Sequence, residues 1–227
     1  MPKAKKSVQE ARTLERTITR RIKLEYLLYL PKGHGRGKKK WPLMVYLHGS
    51  GERGSNLELV KTHGPPKLIE AEQEFPFIVV SPQCPADGWW TTDAISTLLD
   101  DLEQNLQVDT SRVYLTGLSM GGFGTWAMAG EFPNRFAAIA PICGGGLELW
   151  MRNITHLPVW AFHGAKDDIV PLEQTTRLVD ELKRLGSKKV KLTVFKNADH
   201  DSWTRAYANP KLYEWMLAQV QTPKPSR

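Results

Sequence analysis

A serine set between glycines, Gly117-Leu118-Ser119-Met120-Gly121, is the most reactive arrangement in this sequence. The apolar run RVYLTG at 112–117 leads straight into it, and the small-residue segment MGGFGTWAMAGEF at 120–132 leads away. A strand that turns sharply into a helix at such a G-x-S-x-G motif lifts the serine oxygen out of the sheet. It also aims the first helical N–H groups at whatever binds there. The glycines flank Ser119 because side chains at those places would strike the neighbouring strand and helix. The plainer alternative is a Gly-rich turn with a capping serine, and the partners of Ser119 weigh against it.

A serine hydroxyl becomes a nucleophile with a base to take its proton and an acid to orient that base. Along the chain, turns of this type are followed first by the acid and then by the histidine. Six histidines occur, at 34, 48, 63, 156, 163 and 200. His156 and His163 follow Ser119 but precede the obvious acid loop, HGAKDDIVP at 163–171, which leaves His200 in NADHDSW as the base. The acid loop offers two adjacent carboxylates. Asp167 is taken as the orienting acid, with Asp168 as the competitor that otherwise caps the next helix or stays solvated. Asp199 and Asp201 read as solvated loop charges. His48 and His163 each precede a glycine at a strand end, which suits structural hydrogen bonding. No histidine spacing suggests a metal, and Ser–His–Asp chemistry calls for neither metal nor cofactor.

Acyl transfer puts negative charge on a carbonyl oxygen, and two backbone N–H groups commonly hold it. One belongs to the residue after the nucleophile, here Met120. The second is expected from the loop LHGSGERG at 47–54, with Ser50 as first candidate and Gly51 as the next. Glu52 and Arg53 read as a salt bridge that fixes this loop. Trp89, Trp90, Trp150 and Trp203 lie in or near loops at the same end, and Trp89, Trp90 and Trp203 are candidates for an aromatic substrate wall. The alternative for each is core packing with the indole N–H satisfied.

The elements that must carry these residues alternate along the chain. Short, nearly continuous apolar runs occur at 42–48, 77–82, 112–117, 137–142, 159–163 and 191–195. Such runs fit strands buried on both faces of a parallel sheet. Two more strands are expected at 12–20 and 22–30. Helices are expected at 91–106, with Thr92 or Asp93 as N-cap, and at 120–132, 172–186 and 210–220. Strands alternating with helices imply an α/β fold with a mostly parallel sheet.

Composition bounds the reading. The 227 residues are 41% hydrophobic and 24% charged, which suits one globular domain. We expect mobile tails at 1–11 and 222–227 around a domain at 12–221. No apolar run approaches ~20 residues, so no membrane span is expected. The first twenty residues lack an apolar core, so no secretory signal is read and a cytoplasmic setting is expected. The net charge of +7 invites a nucleic-acid reading, but it is unevenly spread. Residues 1–40 hold 13 Lys/Arg against 3 acids, while residues 41–227 hold 18 against 21. A solvated basic face, with no nucleic-acid partner, is the reading.

Taken together, YLLYLPKG, LHGSGERG, SPQCP followed by Trp89-Trp90, GLSMGGFGTW, APICGGG, FHGAKDDIVP and ADHDSW resemble the α/β-hydrolase superfamily. More narrowly they resemble the small esterases of its dienelactone hydrolase and phospholipase/carboxylesterase branch, which includes proteins called predicted peptidases and feruloyl-esterase-like enzymes. The resemblance spans roughly residues 26–203. It implies Ser119 as nucleophile, Asp167 rather than Asp168 as orienting acid, His200 as general base, and Ser50 and Met120 at the oxyanion hole. It also implies a central sheet of about eight strands with helices on both faces, in the order 1-2-4-3-5-6-7-8. In that order Cys84 and Cys143 end strands three spacings apart, about 14 Å, too far for a disulfide, so both thiols are expected free. Only Gly144 to Leu157 separates two late strands, so no sizeable lid is expected and the site is open.

Three functions follow. The leading one is a serine esterase acting on small carboxylic esters. The second is a serine peptidase of the prolyl-oligopeptidase-like type with the same three residues, although no propeller domain or clear side-chain pocket is visible. The third is a basic-tailed binding module on a hydrolase fold, against which the intact triad speaks. Neither the natural ester nor the oligomeric state is legible.

Overall fold

The computed structural model describes residues 9–221. The expected tails at 1–11 and 222–227 therefore lie largely outside the described residues. In chain order the elements are β1 (Tyr26–Tyr29), β2 (Trp41–Leu47), α1 (Gly64–Glu70), β3 (Ile78–Pro82), α2 (Thr92–Asn105), β4 (Val108–Leu118), α3 (Met120–Glu131), β5 (Ala138–Ile142), β6 (Val159–Gly164), α4 (Glu173–Arg184), β7 (Val190–Phe195), α5 (Trp203–Tyr207) and α6 (Pro210–Leu217). Short 3-10 helices occur at Ser50–Glu52, Leu57–Thr62 and Glu148–Asn153.

The strands form one sheet in the order β1-β3-β2-β4-β5-β6-β7. All neighbouring pairs are parallel except β1 with β3. The unbroken apolar runs have their cause in this geometry, because successive side chains serve opposite faces. Leu43, Val45 and Leu47 join a core completed by Leu99 of α2, Trp126 of α3 and Leu178 of α4. Met44 and Tyr46 join a second core with Ile69 of α1, Tyr207 of α5 and Leu212 of α6. Each such side chain, fully buried, contributes roughly 1.5–3 kcal/mol. In α4 the buried residues Thr175, Leu178, Val179 and Leu182 follow helical spacing, so one stripe faces the sheet.

Among the described residues the sheet has seven strands, not eight. Residues 12–20 form no strand, and only the last part of 22–30 pairs, at β1. The two expected strands left only Arg21 between them, whereas the shortest common hairpin connection needs two residues. Segment 9–25 instead runs as irregular chain, with Leu14 and Ile18 exposed. With that strand removed, the expected strand order and the observed one agree.

Helix α2 starts at Thr92 with Thr91 as N-cap, one residue ahead of the expected cap. Between β5 and β6 the one regular element is the 3-10 helix Glu148–Asn153, so this connection inserts no lid domain. Cys84 follows β3 and Cys143 follows β5, with β2 and β4 between, and both thiols are free. The Gly/Lys loop at 31–40 leads into the amino end of β2. At that same end of the sheet, Gln221 donates its backbone N–H to Ser111 O at 2.8 Å.

Candidate active site

Strand β4 ends at Leu118, and Ser119 turns the chain into α3 with φ 51° and ψ −116°. That backbone is rare for any residue with a β-carbon and costs of order 1–3 kcal/mol. Three contacts hold it. Ser119 N–H donates to Ile142 O at the end of β5 (2.9 Å), and Ser119 O accepts from Phe123 N–H (3.0 Å). Gly121 packs so closely on Leu47 O that a β-carbon would overlap it. The strained turn is therefore clamped between the carboxyl ends of β2 and β5.

His200 sits in the loop between β7 and α5, and the fold brings it over Ser119. Its Nε2 lies 2.9 Å from Ser119 Oγ, and its Nδ1 lies 2.8 Å from Asp167 Oδ2. Asp167 comes from the loop after β6 and is 8% exposed, while neighbouring Asp168 faces solvent. The other carboxylate oxygen of Asp167 accepts the backbone N–H groups of Ile169 (3.1 Å) and Val170 (2.8 Å). These bonds fix the carboxylate with one oxygen turned to His200. Arranged this way, the three side chains can move a proton from a hydroxyl to a ring whose other N–H is already held.

Met120 is the first residue of α3 and Ser50 the first of its 3-10 helix. N–H groups in a first helical turn have no partner within their own helix, so both are available to a ligand. The loop that carries Ser50 is held differently from the expectation. Among the described residues Glu52 and Arg53 form no ion pair with each other. Glu52 is buried and accepts Gly49 N–H at 2.9 Å. Arg53 donates to Ser50 O (3.0 Å) and to Gly88 O (3.2 Å), tying this loop to the one that carries Trp89. A Gly–Ser–Gly–Glu–Arg string does not name Gly88 as a partner, since it is distant in sequence.

The tryptophans divide. Trp89 is 55% exposed and meets Phe123 edge-on, with ring centroids 6.2 Å apart, so it can face a ligand. Trp90 cannot serve as substrate wall. It is buried, its indole N–H donates to His48 O at 3.0 Å, and its ring abuts the His48 ring. Trp150 packs on Gly130 near the far end of α3. Trp203 is half-buried between His63 and His200, with its ring centroid 5.2 Å from that of His200. His48 and His163 are fully buried and hydrogen-bonded within the fold.

Among the described residues, one group of side chains is close enough to share an ion: Cys143, Asp167 and His200. Two of these are committed to each other, and burial pushes the Cys143 thiol up to about 12, so it stays protonated. The set does not read as a metal site.

The basic residues also divide. The loop 31–40 is at the sheet end away from Ser119, but Arg20, Arg21 and Lys23 line a cleft with Cys84, Trp89 and Thr91. The basic residues just ahead of β1 therefore stand at the active end of the sheet, unlike those of the loop. Because β1 runs antiparallel to β3, the chain ahead of it lies at the carboxyl end of β3.

The model of the dienelactone hydrolase family matches residues 90–212, more than half of the chain. A bifunctional acetylxylan esterase/xylanase of Neocallimastix patriciarum is 30% identical over 140 residues, covering 59% of this chain and 20% of the relative. A probable feruloyl esterase C of Aspergillus terreus is 26% identical over 154 residues, covering 66% of this chain and 57% of the relative. The crystal structure of a thermostable esterase superposes with a TM-score of 0.76 at 34% identity, over 87% of this chain and 59% of that one. The chain thus spans less than two thirds of the length of each of these proteins.

Proposed function

The chain belongs to the dienelactone hydrolase family of α/β hydrolases, and from that premise we propose that it is a serine hydrolase of carboxylic esters. The observation that carries the proposal is the line from Asp167 Oδ2 to His200 (2.8 Å) and from His200 to Ser119 Oγ (2.9 Å). In this reading Ser119 Oγ attacks the ester carbonyl carbon while His200 Nε2 takes the hydroxyl proton. Asp167 holds the Nδ1–H and balances the imidazolium that forms. The carbonyl oxygen becomes an oxyanion facing the N–H groups of Met120 and Ser50. The tetrahedral intermediate then collapses, the C–O bond to the alcohol breaks, and the alcohol leaves with the proton from His200. Water, activated by the same ring, attacks the acyl-enzyme and releases the acid.

Small or solvent-presented esters suit an uncovered site better than long buried chains. The acetylxylan and feruloyl esters named for the relatives make acetyl and aryl esters the first substrates to try. A fluorophosphonate probe is expected to label Ser119, and Ser119→Ala to lower turnover by on the order of 10⁴–10⁶. p-Nitrophenyl esters of rising chain length, run beside aminoacyl anilides, separate esterase from peptidase. An absence of labelling and of ester turnover would sink the proposal, and faster turnover of the anilides would replace it with the peptidase.

A further inference from the structure

Asp167 Oδ2 faces two histidines. One is His200; the other is His163, whose Nε2 lies 3.2 Å away. His163 ends β6 four residues before Asp167 and is fully buried. The same Nε2 lies 2.8 Å from Val170 O, and Val170 N–H donates to Asp167 Oδ1 at 2.8 Å.

Donor and acceptor counting assigns the proton. A carboxylate and a carbonyl oxygen only accept, so a nitrogen aimed at both must carry hydrogen. His163 Nδ1 lies 2.8 Å from Thr175 Oγ1, whose own hydrogen goes to Gly144 O at 2.6 Å. Burial pulls the His163 imidazole below the ordinary histidine value, which favours the neutral ring. An Nε2–H faces both acceptors on the Asp167 side.

We propose that His163 is a positioning residue of this site: its Nε2–H, shared between Val170 O and Asp167 Oδ2, fixes the carboxylate so that Oδ2 meets His200 Nδ1. This rests on the reading of Ser119, Asp167 and His200 given above. His163 touches no reacting atom and acts through Asp167. Asp167 accepts three hydrogen bonds, two from the backbone of its own loop and one from His200, and His163 Nε2 approaches Oδ2 at 3.2 Å as well. Without it, Oδ2 loses its second nitrogen neighbour and, besides His200, only the two backbone bonds to Oδ1 restrain the carboxylate.

Two substitutions separate the ring nitrogens. Glutamine reaches as far as Nε2 and keeps a donor there, while asparagine reaches only as far as Nδ1. On p-nitrophenyl acetate, His163→Gln is expected to stay within about threefold of the wild-type kcat. His163→Asn is expected to lose kcat on the order of 10–100-fold, with KM within about twofold. Equal kcat in the two variants, or a loss confined to KM, overturns the proposal. A second measurement uses the unaltered protein. Both N–H protons converge on Oδ2, so proton NMR should show a cross-peak between His163 Nε2–H and His200 Nδ1–H. Its absence overturns the proposal even if neither variant folds. The two ideas fail separately: a wild type that neither takes the fluorophosphonate probe nor turns over esters defeats the esterase reading, whereas an active wild type without the cross-peak defeats only the role of His163.

Discussion

Gly121 and Leu47 touch backbone to backbone, with no room for a β-carbon between the helix and the carbonyl oxygen of Leu47. This contact sets the distance between the two N–H groups assigned to the oxyanion, because Met120 directly precedes Gly121 and Ser50 follows Leu47 by three residues. Gly121→Ala must therefore push α3 off β2. Overpacking of this kind costs about 1–3 kcal/mol. Thermal unfolding should shift down by roughly 2–12 °C for a domain of this size. Ester turnover should fall by on the order of 10²-fold in the protein that remains folded, since a displacement near 1 Å suffices. A variant as stable and active as the wild type would refute the contact.

Asp167 and Asp168 differ in everything but side chain. Asp167→Asn keeps the shape but puts an amide where His200 Nδ1–H needs an acceptor of fixed charge, so kcat is expected to fall about 10⁴-fold. Asp168→Asn, at an exposed position, should stay within about threefold. Steady-state kinetics on one ester decides between them.

His48 gives a pH dependence of stability. Its Nδ1 lies 2.6 Å from Gly49 O and must donate, while its Nε2 accepts Cys84 N–H at 2.9 Å. The ring is held neutral, and burial brings it from 6.5 down to about 4. Between those values the unfolded chain binds the proton and the folded one does not, so stability falls as pH drops through that window. Above 6.5 the full contribution is present, and by about pH 4 roughly 3 kcal/mol of it is gone. His48→Gln, which can still accept from Cys84, should show a flatter fall in unfolding temperature from pH 7 to pH 4. Parallel curves for the two proteins would contradict this.

Trp89 and Trp90, adjacent in sequence, should separate by assay. Trp90→Ala opens the core beneath His48 and should cost about 3–5 kcal/mol of stability. Trp89→Ala removes an exposed ring and should leave stability within about 0.5 kcal/mol. If Trp89 faces the substrate, KM for aryl esters should rise several-fold in its variant and KM for acetyl esters should not. Calorimetry and a two-substrate comparison give the answer.

The parallel strands were legible because a strand covered on both faces needs apolar side chains at every position, and β2 is buried at all seven. The meeting of Ser119, Asp167 and His200 was legible from chain order, because strand ends in such a sheet share one edge. The segment at 12–20 misled, since alternation with threonine and isoleucine reads as a strand wherever a partner exists, and here the connection was too short to supply one. The role of Trp90 was hidden too. Its carbonyl partner at His48 lies 42 residues away, and side-chain type carries no trace of a bond to another residue's backbone.

Arg20 and Gln221 lie toward opposite ends of the strands. Arg20 and Arg21 line the cleft beside Trp89, whereas Gln221 is bonded to Ser111, at the start of β4, with the length of that strand between it and Ser119. A tether joined after Gln221 would hold the molecule on a solid support with the loops around Ser119 turned outward. The same tether ahead of Arg20 would turn those loops toward the support, so the choice of anchoring end alone decides how freely a bulky substrate reaches the serine.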